Sequence, residues 1–173
     1  MALIVEDGTG LVNAESYISV ADTDTYCSNR GYTSWAALTQ SNKEIALRKA
    51  TDYIEQVYRL RFLGYRHKED QALSFPRDEV PRADFTFLNQ FSFYPNDEVP
   101  REIKNACAEL AYKASTTELA PDITRVTKRE KVGVLEVEYD NTQVPYTKYR
   151  AIDNMIAVFL SSTSGVSRQV VRT

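Results

Sequence analysis

The densest chemistry in this chain lies between Tyr58 and Lys68. Arg59, Arg61, Arg66 and Lys68 alternate there with Tyr58, Phe62 and Tyr65, and no carboxylate intervenes. Cations interleaved with aromatic rings suit a single-stranded nucleic acid: the cations meet phosphates, and each ring can stack on a base for about 1–3 kcal/mol. Arg59, Arg61, Tyr65, Arg66 and Lys68 are therefore candidate nucleic-acid contacts, to which Lys128, Arg129 and Lys131 could add. A structural reading competes. Tyr58, Leu60 and Leu63 fall on the apolar face of a helix, and arginines at a helix C-terminus are favoured by its dipole whatever else they touch.

No other group of residues supports catalysis or metal binding. The nearest carboxylate pairs, Asp22 with Asp24 and Asp78 with Glu79, read as solvated charges. His67 has no Cys or His neighbours at ligand spacing, so no zinc site is expected. Cys27 and Cys107 lack a partner motif and read as reduced, half-buried thiols on helices. Walker, nucleophile-elbow and HExxH patterns are absent. The expectation is a protein that is not an enzyme and takes no cofactor or metal. A net charge of -3 argues against a strongly basic nucleic-acid binder, though not against a local basic patch. No apolar run approaches the ~20 residues of a membrane span, and the N-terminus lacks the basic region of a signal peptide.

One long helix, Ser41 to Leu63, has to deliver the basic–aromatic run. Ser41 and Glu44 read as its capping box. Ile45, Ala46, Ala50, Tyr53, Ile54, Val57 and Leu60 form its apolar stripe. Upstream, Leu3-Ile4-Val5 suggests a short strand or an extended arm, ended by a turn. Ser19 with Asp22 opens a helix that Gly31 closes, and Trp35 anchors a short helical piece in the core.

Downstream, Pro76 restricts Phe75 to extended backbone. Residues 78–99, with Pro81 and Pro95, read as a long loop whose Phe85, Phe87, Phe91, Phe93 and Tyr94 pack on their own domain or on a neighbouring subunit. Pro100 suits the first position of a second helix. Its stripe is Ile103, Ala106, Cys107, Leu110, Ala111 and Ala114. Alternation around Gly133 predicts a β-hairpin at about 125–139. A third helix buries Tyr149, Ile152, Ile156, Phe159 and Leu160, and residues 161–173 have the composition of a flexible tail. The expected fold class is mainly α: a small helical domain, 1–160, with one β-hairpin and an extended C-terminal arm. Eleven tyrosines suit a contact surface.

Four stretches taken together resemble a known family. They are Ala2 to Leu11 with Asn13 to Ser19 after it, Arg48 to Ile54, Gln71 to Arg77, and Lys128 to Tyr139. Their order and spacing, over about residues 2–160, are similar to those of tailed-phage virion proteins that carry two descriptions, head–tail connector adaptor and DnaT-like single-stranded-DNA-binding protein. The resemblance implies a helical domain with a β-hairpin, assembled as a closed ring of about twelve copies beneath the portal. It implies a place in the virion neck after synthesis in the bacterial host cytoplasm.

On this basis the expected function is a head-to-tail adaptor that completes the DNA exit channel. Its partners would be the portal protein, further copies of itself, a downstream tail protein and the packaged DNA, with no membrane. The mild acidity suits a channel through which DNA must slide. Gly165, Val166, Arg168, Val170, Val171 and Arg172 are the candidate portal contacts, ordering on docking. Phe85, Phe87, Phe91, Phe93, Tyr94, Lys128, Arg129 and Lys131 are the candidate subunit contacts. The alternative is a DnaT-like single-stranded-DNA-binding protein that uses Arg59 to Lys68.

Overall fold

The computed structural model describes residues 2–87, 90–121, 129–132, 135–138 and 149–161, and the fold they form is mainly α. Helix α1 (Val20–Ser28) begins where the sequence marks it. The Ser19 hydroxyl accepts from the Asp22 amide at 3.0 Å and donates to the Asp22 carboxylate at 2.7 Å. Helix α2 (Thr33–Ala36) is a single turn that buries Trp35. The Trp35 indole donates to Asp24 at 2.7 Å, and Lys43 meets the same carboxylate oxygen at 2.9 Å. Asp24 is thus tethered by Trp35 and Lys43 while its side chain stays partly in solvent.

Helix α3 (Gln40–Tyr58) is the long central helix, with a register different from the expected one. Its N-cap is Thr39, whose hydroxyl accepts from the Asn42 amide at 3.3 Å. Ser41 therefore lies inside the first turn, and the Ser41–Glu44 capping box does not form. The buried stripe is Ala46, Leu47, Ala50, Thr51, Ile54 and Tyr58. Ile45 and Val57, expected in the stripe, are exposed, because the stripe that is buried runs through Leu47 and Thr51 instead, and Leu60 is 98% exposed. For Leu60 the cause is local: the helix gives way after Tyr58 to a 3-10 turn, Arg59–Arg61, so a stripe extrapolated at 3.6 residues per turn overshoots.

Helix α4 (Arg101–Ala114) packs on α3 through Ile103, Ala106, Cys107, Leu110 and Ala111, the expected stripe. Pro100 caps it from outside instead of standing at its first position. The Thr51 hydroxyl lies 3.4 Å from Cys107 Sγ, so the two helices approach closely across small side chains. Cys27 and Cys107 are both fully buried rather than half-buried. Helix α5 (Arg150–Ile156) and the 3-10 turn Ala157–Phe159 close the core with Ile152, Ile156 and Phe159. Tyr58 donates to Asp153 at 2.5 Å, tying the end of α3 to α5.

Three antiparallel strand pairs lie among the described residues. Strand β1 (Tyr65–Arg66) pairs with β2 (Arg77–Asp78), β3 (Pro81–Phe87) with β4 (Gln90–Phe93), and β5 (Arg129–Val132) with β6 (Leu135–Glu138). The last is the hairpin expected from the sequence. The middle pair corrects the expected loop over 78–99. Phe85, Phe87, Phe91 and Phe93 stand at alternate strand positions, and Pro81 and Pro95 sit at or beyond the strand ends, where no ladder amide is needed. The N-terminal run makes a single parallel bridge, Val5 to Ser16. Beside it the buried Glu6 carboxylate accepts from the amides of Gly8, Gly10 and Leu11 at 3.0, 2.9 and 2.9 Å. Lys128 and the arm with Gly165, Val166, Arg168, Val170, Val171 and Arg172 lie outside the described residues.

Candidate nucleic-acid interface

The 3-10 turn leaves Arg59, Leu60 and Arg61 in solvent. The chain then turns inward. Phe62 is buried and bridges Leu160 in antiparallel sense, the Leu63 amide donates to the Phe159 carbonyl at 2.8 Å, and the Ser161 amide donates to the Arg61 carbonyl at 2.8 Å. At Gly64 the backbone takes φ 69°, and a Cβ there would stand 2.1 Å from the Asp78 carbonyl oxygen. Only glycine fits this crossing. Past it the chain emerges at Tyr65, which is 69% exposed.

Arg77 sets this path. Its Nε donates to the Leu63 carbonyl at 2.7 Å and its Nη2 to the Gly64 and Phe62 carbonyls at 2.6 and 3.3 Å, while Nη1 reaches the Ser74 carbonyl at 3.3 Å. Burial pulls the Arg77 pKa below the usual arginine value, with Tyr17 and Glu55 acting the other way. A guanidinium stays charged through such a shift, so the carbonyls hold a permanent cation.

The preceding residues are scaffold as well. The Ser74 amide and hydroxyl donate to Glu55 at 3.0 and 2.7 Å, and Tyr17 donates to the same carboxylate. Burial, first, and the Glu55 charge push the Tyr17 hydroxyl well above its ordinary pKa. The buried Gln71 amide donates to the carbonyls of Leu73 and Pro76 at 2.8 and 3.0 Å and accepts from the Lys68 amide at 2.7 Å.

Tyr65 and Phe93, the latter 51% exposed, line one open groove of about 610 Å³ together with Asp78, Glu79, Tyr94 and Asn96. The Tyr94 ring sits 4.9 Å from that of Phe159, and the Arg82 guanidinium lies over Tyr94 at 4.7 Å. Asn96 donates to Asp78 at 2.6 Å and His67 Nδ1 lies 3.2 Å from the same oxygen, which holds the Asp78 carboxyl below the usual aspartate range.

The expected contacts are therefore divided. Arg59, Arg61, Tyr65 and Lys68 are exposed, and Arg66 is part-buried, with its Nε enclosed and lacking a protein partner. Of the three rings in the run, Tyr58 and Phe62 are taken by the core and Tyr65 is left in solvent. Phe93 and Tyr94, expected at a subunit contact, join the Tyr65 groove, while Phe85, Phe87 and Phe91 are strand residues of β3 and β4. By register Arg129 stands opposite Glu138 and Lys131 opposite Glu136 in the hairpin. Reading the sequence missed Arg77, Arg82 and the meeting of Phe93 with Tyr65. The alternation Phe91-Ser92-Phe93 was the available signal for the last.

A family model described as "Putative DnaT-like ssDNA binding protein" matches residues 1–173. The chain belongs to this family. No curated protein and no solved structure matches it. The family description carries single-stranded-DNA binding and no connector. It overturns the expected head-to-tail adaptor and favours the alternative. In that alternative's run, Arg59, Arg61, Tyr65 and Lys68 are presented to solvent, while Tyr58 belongs to the α3 stripe and Phe62 is buried. Among the described residues no cluster of His, Cys, Asp or Glu could hold a metal ion, and no helix is long and apolar enough to cross a membrane.

Proposed function

We propose that this chain binds single-stranded DNA along the surface that carries Arg59, Arg61, Tyr65, Arg66, Lys68 and Phe93. The observation that supports the reading is the pairing of two exposed rings, Tyr65 at 69% and Phe93 at 51%, on one groove close in sequence to the solvated Arg59 and Arg61. Bases stack on the rings and phosphates meet the arginines. Asp78 and Glu79 on the groove repel phosphate, so bases enter it and the backbone runs outside. Stacking tolerates any base, so sequence preference is weak and duplex DNA, whose bases are already stacked, binds less well.

A fluorescently labelled oligonucleotide titrated at about 50 and about 200 mM salt tests this. Four phosphate contacts give a salt slope of about −2.8, hence roughly a fifty-fold loss of affinity between the two conditions. Absence of binding at the lower salt, or equal affinity for duplex and single strand, would overturn the proposal.

A further inference from the structure

Leu60 is 98% exposed, more than any other large apolar side chain among the described residues; Tyr65 follows at 69%. It stands in the middle of the 3-10 turn Arg59–Arg61, and both neighbours are exposed cations. Among the described residues neither Arg59 nor Arg61 joins an ion pair, and residues 56–68 hold no Asp or Glu. The turn itself is held from both sides. Before it, Tyr58 donates to Asp153 at 2.5 Å and the Arg59 amide donates to the Glu55 carbonyl. After it, the Arg61 carbonyl accepts from the Ser161 amide at 2.8 Å and Phe62 bridges Leu160. A leucine is thus offered to solvent on a fixed backbone, between two arginines that have no carboxylate partner.

We propose that Leu60 is a wedge that enters between two neighbouring bases of the bound strand and parts them, while Arg59 and Arg61 hold the phosphates on either side. This rests on the single-stranded-DNA reading and adds to it the residue that unstacks the bases. An apolar wedge takes up stacking surface that the parted bases give up, and a single strand has no base pair to break first. The charge pattern selects the occupant. A second copy would bring the same arginines against each other, whereas a polyanion complements them. Leu60 and Tyr65 are five residues apart, at most about 18 Å along the chain, so one short strand spans both wedge and groove. Because the backbone of the turn is already fixed, insertion orders little more than one side chain.

The test uses an oligonucleotide carrying 2-aminopurine, a base whose fluorescence is quenched by stacking on its neighbours, at about 50 and about 200 mM salt. The full chain should raise its emission on binding. Leu60→Ala should abolish most of that rise and weaken binding roughly 3- to 30-fold, with the salt slope and the unfolding midpoint unchanged, because neither a phosphate contact nor a core contact is lost. Leu60→Met, which keeps an apolar side chain of similar volume, should retain both the rise and the affinity. Full affinity and a full emission rise in Leu60→Ala would overturn the inference while leaving the groove reading intact, as would binding by the full chain with no rise. A Leu60→Ala defect confined to self-association in light scattering, or to binding of anionic lipid vesicles, would overturn it too. If the full chain fails to bind the oligonucleotide at all, the groove reading falls first and the wedge with it.

Discussion

Arg77 reaches back thirteen residues to Gly64, its Nη2 donating to the Gly64 carbonyl at 2.6 Å. A cation buried against Phe62 and Phe75 thus holds the backbone of the one residue that lets the chain cross over Asp78 and emerge at Tyr65. Core and candidate interface are joined at this contact.

Removing Arg77 should therefore be costly. Arg77→Ala strands the carbonyls of Phe62, Leu63 and Gly64 and is expected to lose about 2–4 kcal/mol in urea unfolding. Arg77→Lys should fall between, because an ammonium cannot span the set that a planar fork reaches. A loss under about 1 kcal/mol for the alanine variant would show that water replaces the guanidinium.

The exposed rings should separate binding from stability. Tyr65→Ala and Phe93→Ala are each expected to leave stability within about 0.5 kcal/mol and to weaken oligonucleotide binding about 5- to 150-fold, with the salt slope unchanged. Arg59→Gln with Arg61→Gln should instead lower the magnitude of that slope by about 1.4. Thermal melts beside fluorescence titrations give both readouts, and ring variants that bind normally would remove the groove from the interface.

The register of α3 is open to a paired test. Leu47 is fully buried and Leu60 is 98% exposed. Leu47→Ala should cost about 2–5 kcal/mol, whereas Leu60→Ala should change stability by no more than about 0.5 kcal/mol. Equal costs in denaturant unfolding would return Leu60 to the apolar stripe.

Both cysteines should be inert in the folded chain. Burial pushes the Cys27 and Cys107 thiols up to about 11, Glu109 adding to the effect at Cys27. The thiolate is the reactive form, so at about pH 8 only about a thousandth of either thiol is available, and burial blocks access to it. A chromogenic disulfide reagent should react slowly with native protein and rapidly once denaturant is added. Rapid modification of native protein would place a thiol at the surface.

What could be read from the sequence was local. The Ser19 cap, the stripe on α4, the 129–138 hairpin, the mainly α class and the acid-free run before Lys68 are each written in neighbouring residues, as a cap, a period or a charge pattern. Periodicity records which side of an element is apolar and stops there. It could not tell that Thr39, two residues ahead of Ser41, would take the cap, or that the helix would end at Tyr58 and turn Leu60 outward. Nor could it show that 81–93 would fold as a paired hairpin, because pairing depends on what the two segments meet.

The candidate site was half legible for the same reason. Arg59, Arg61, Tyr65 and Lys68 could be named from their spacing, since cations and rings alternate along one strand of chain. That Phe93 would share a groove with Tyr65, that Arg77 would clamp the turn between them, and that the last described residues would run beside Arg61 were decided by tertiary contacts. Those contacts join segments far apart in sequence, and they are settled by packing around Phe62, Phe75 and Phe159 rather than by any local pattern.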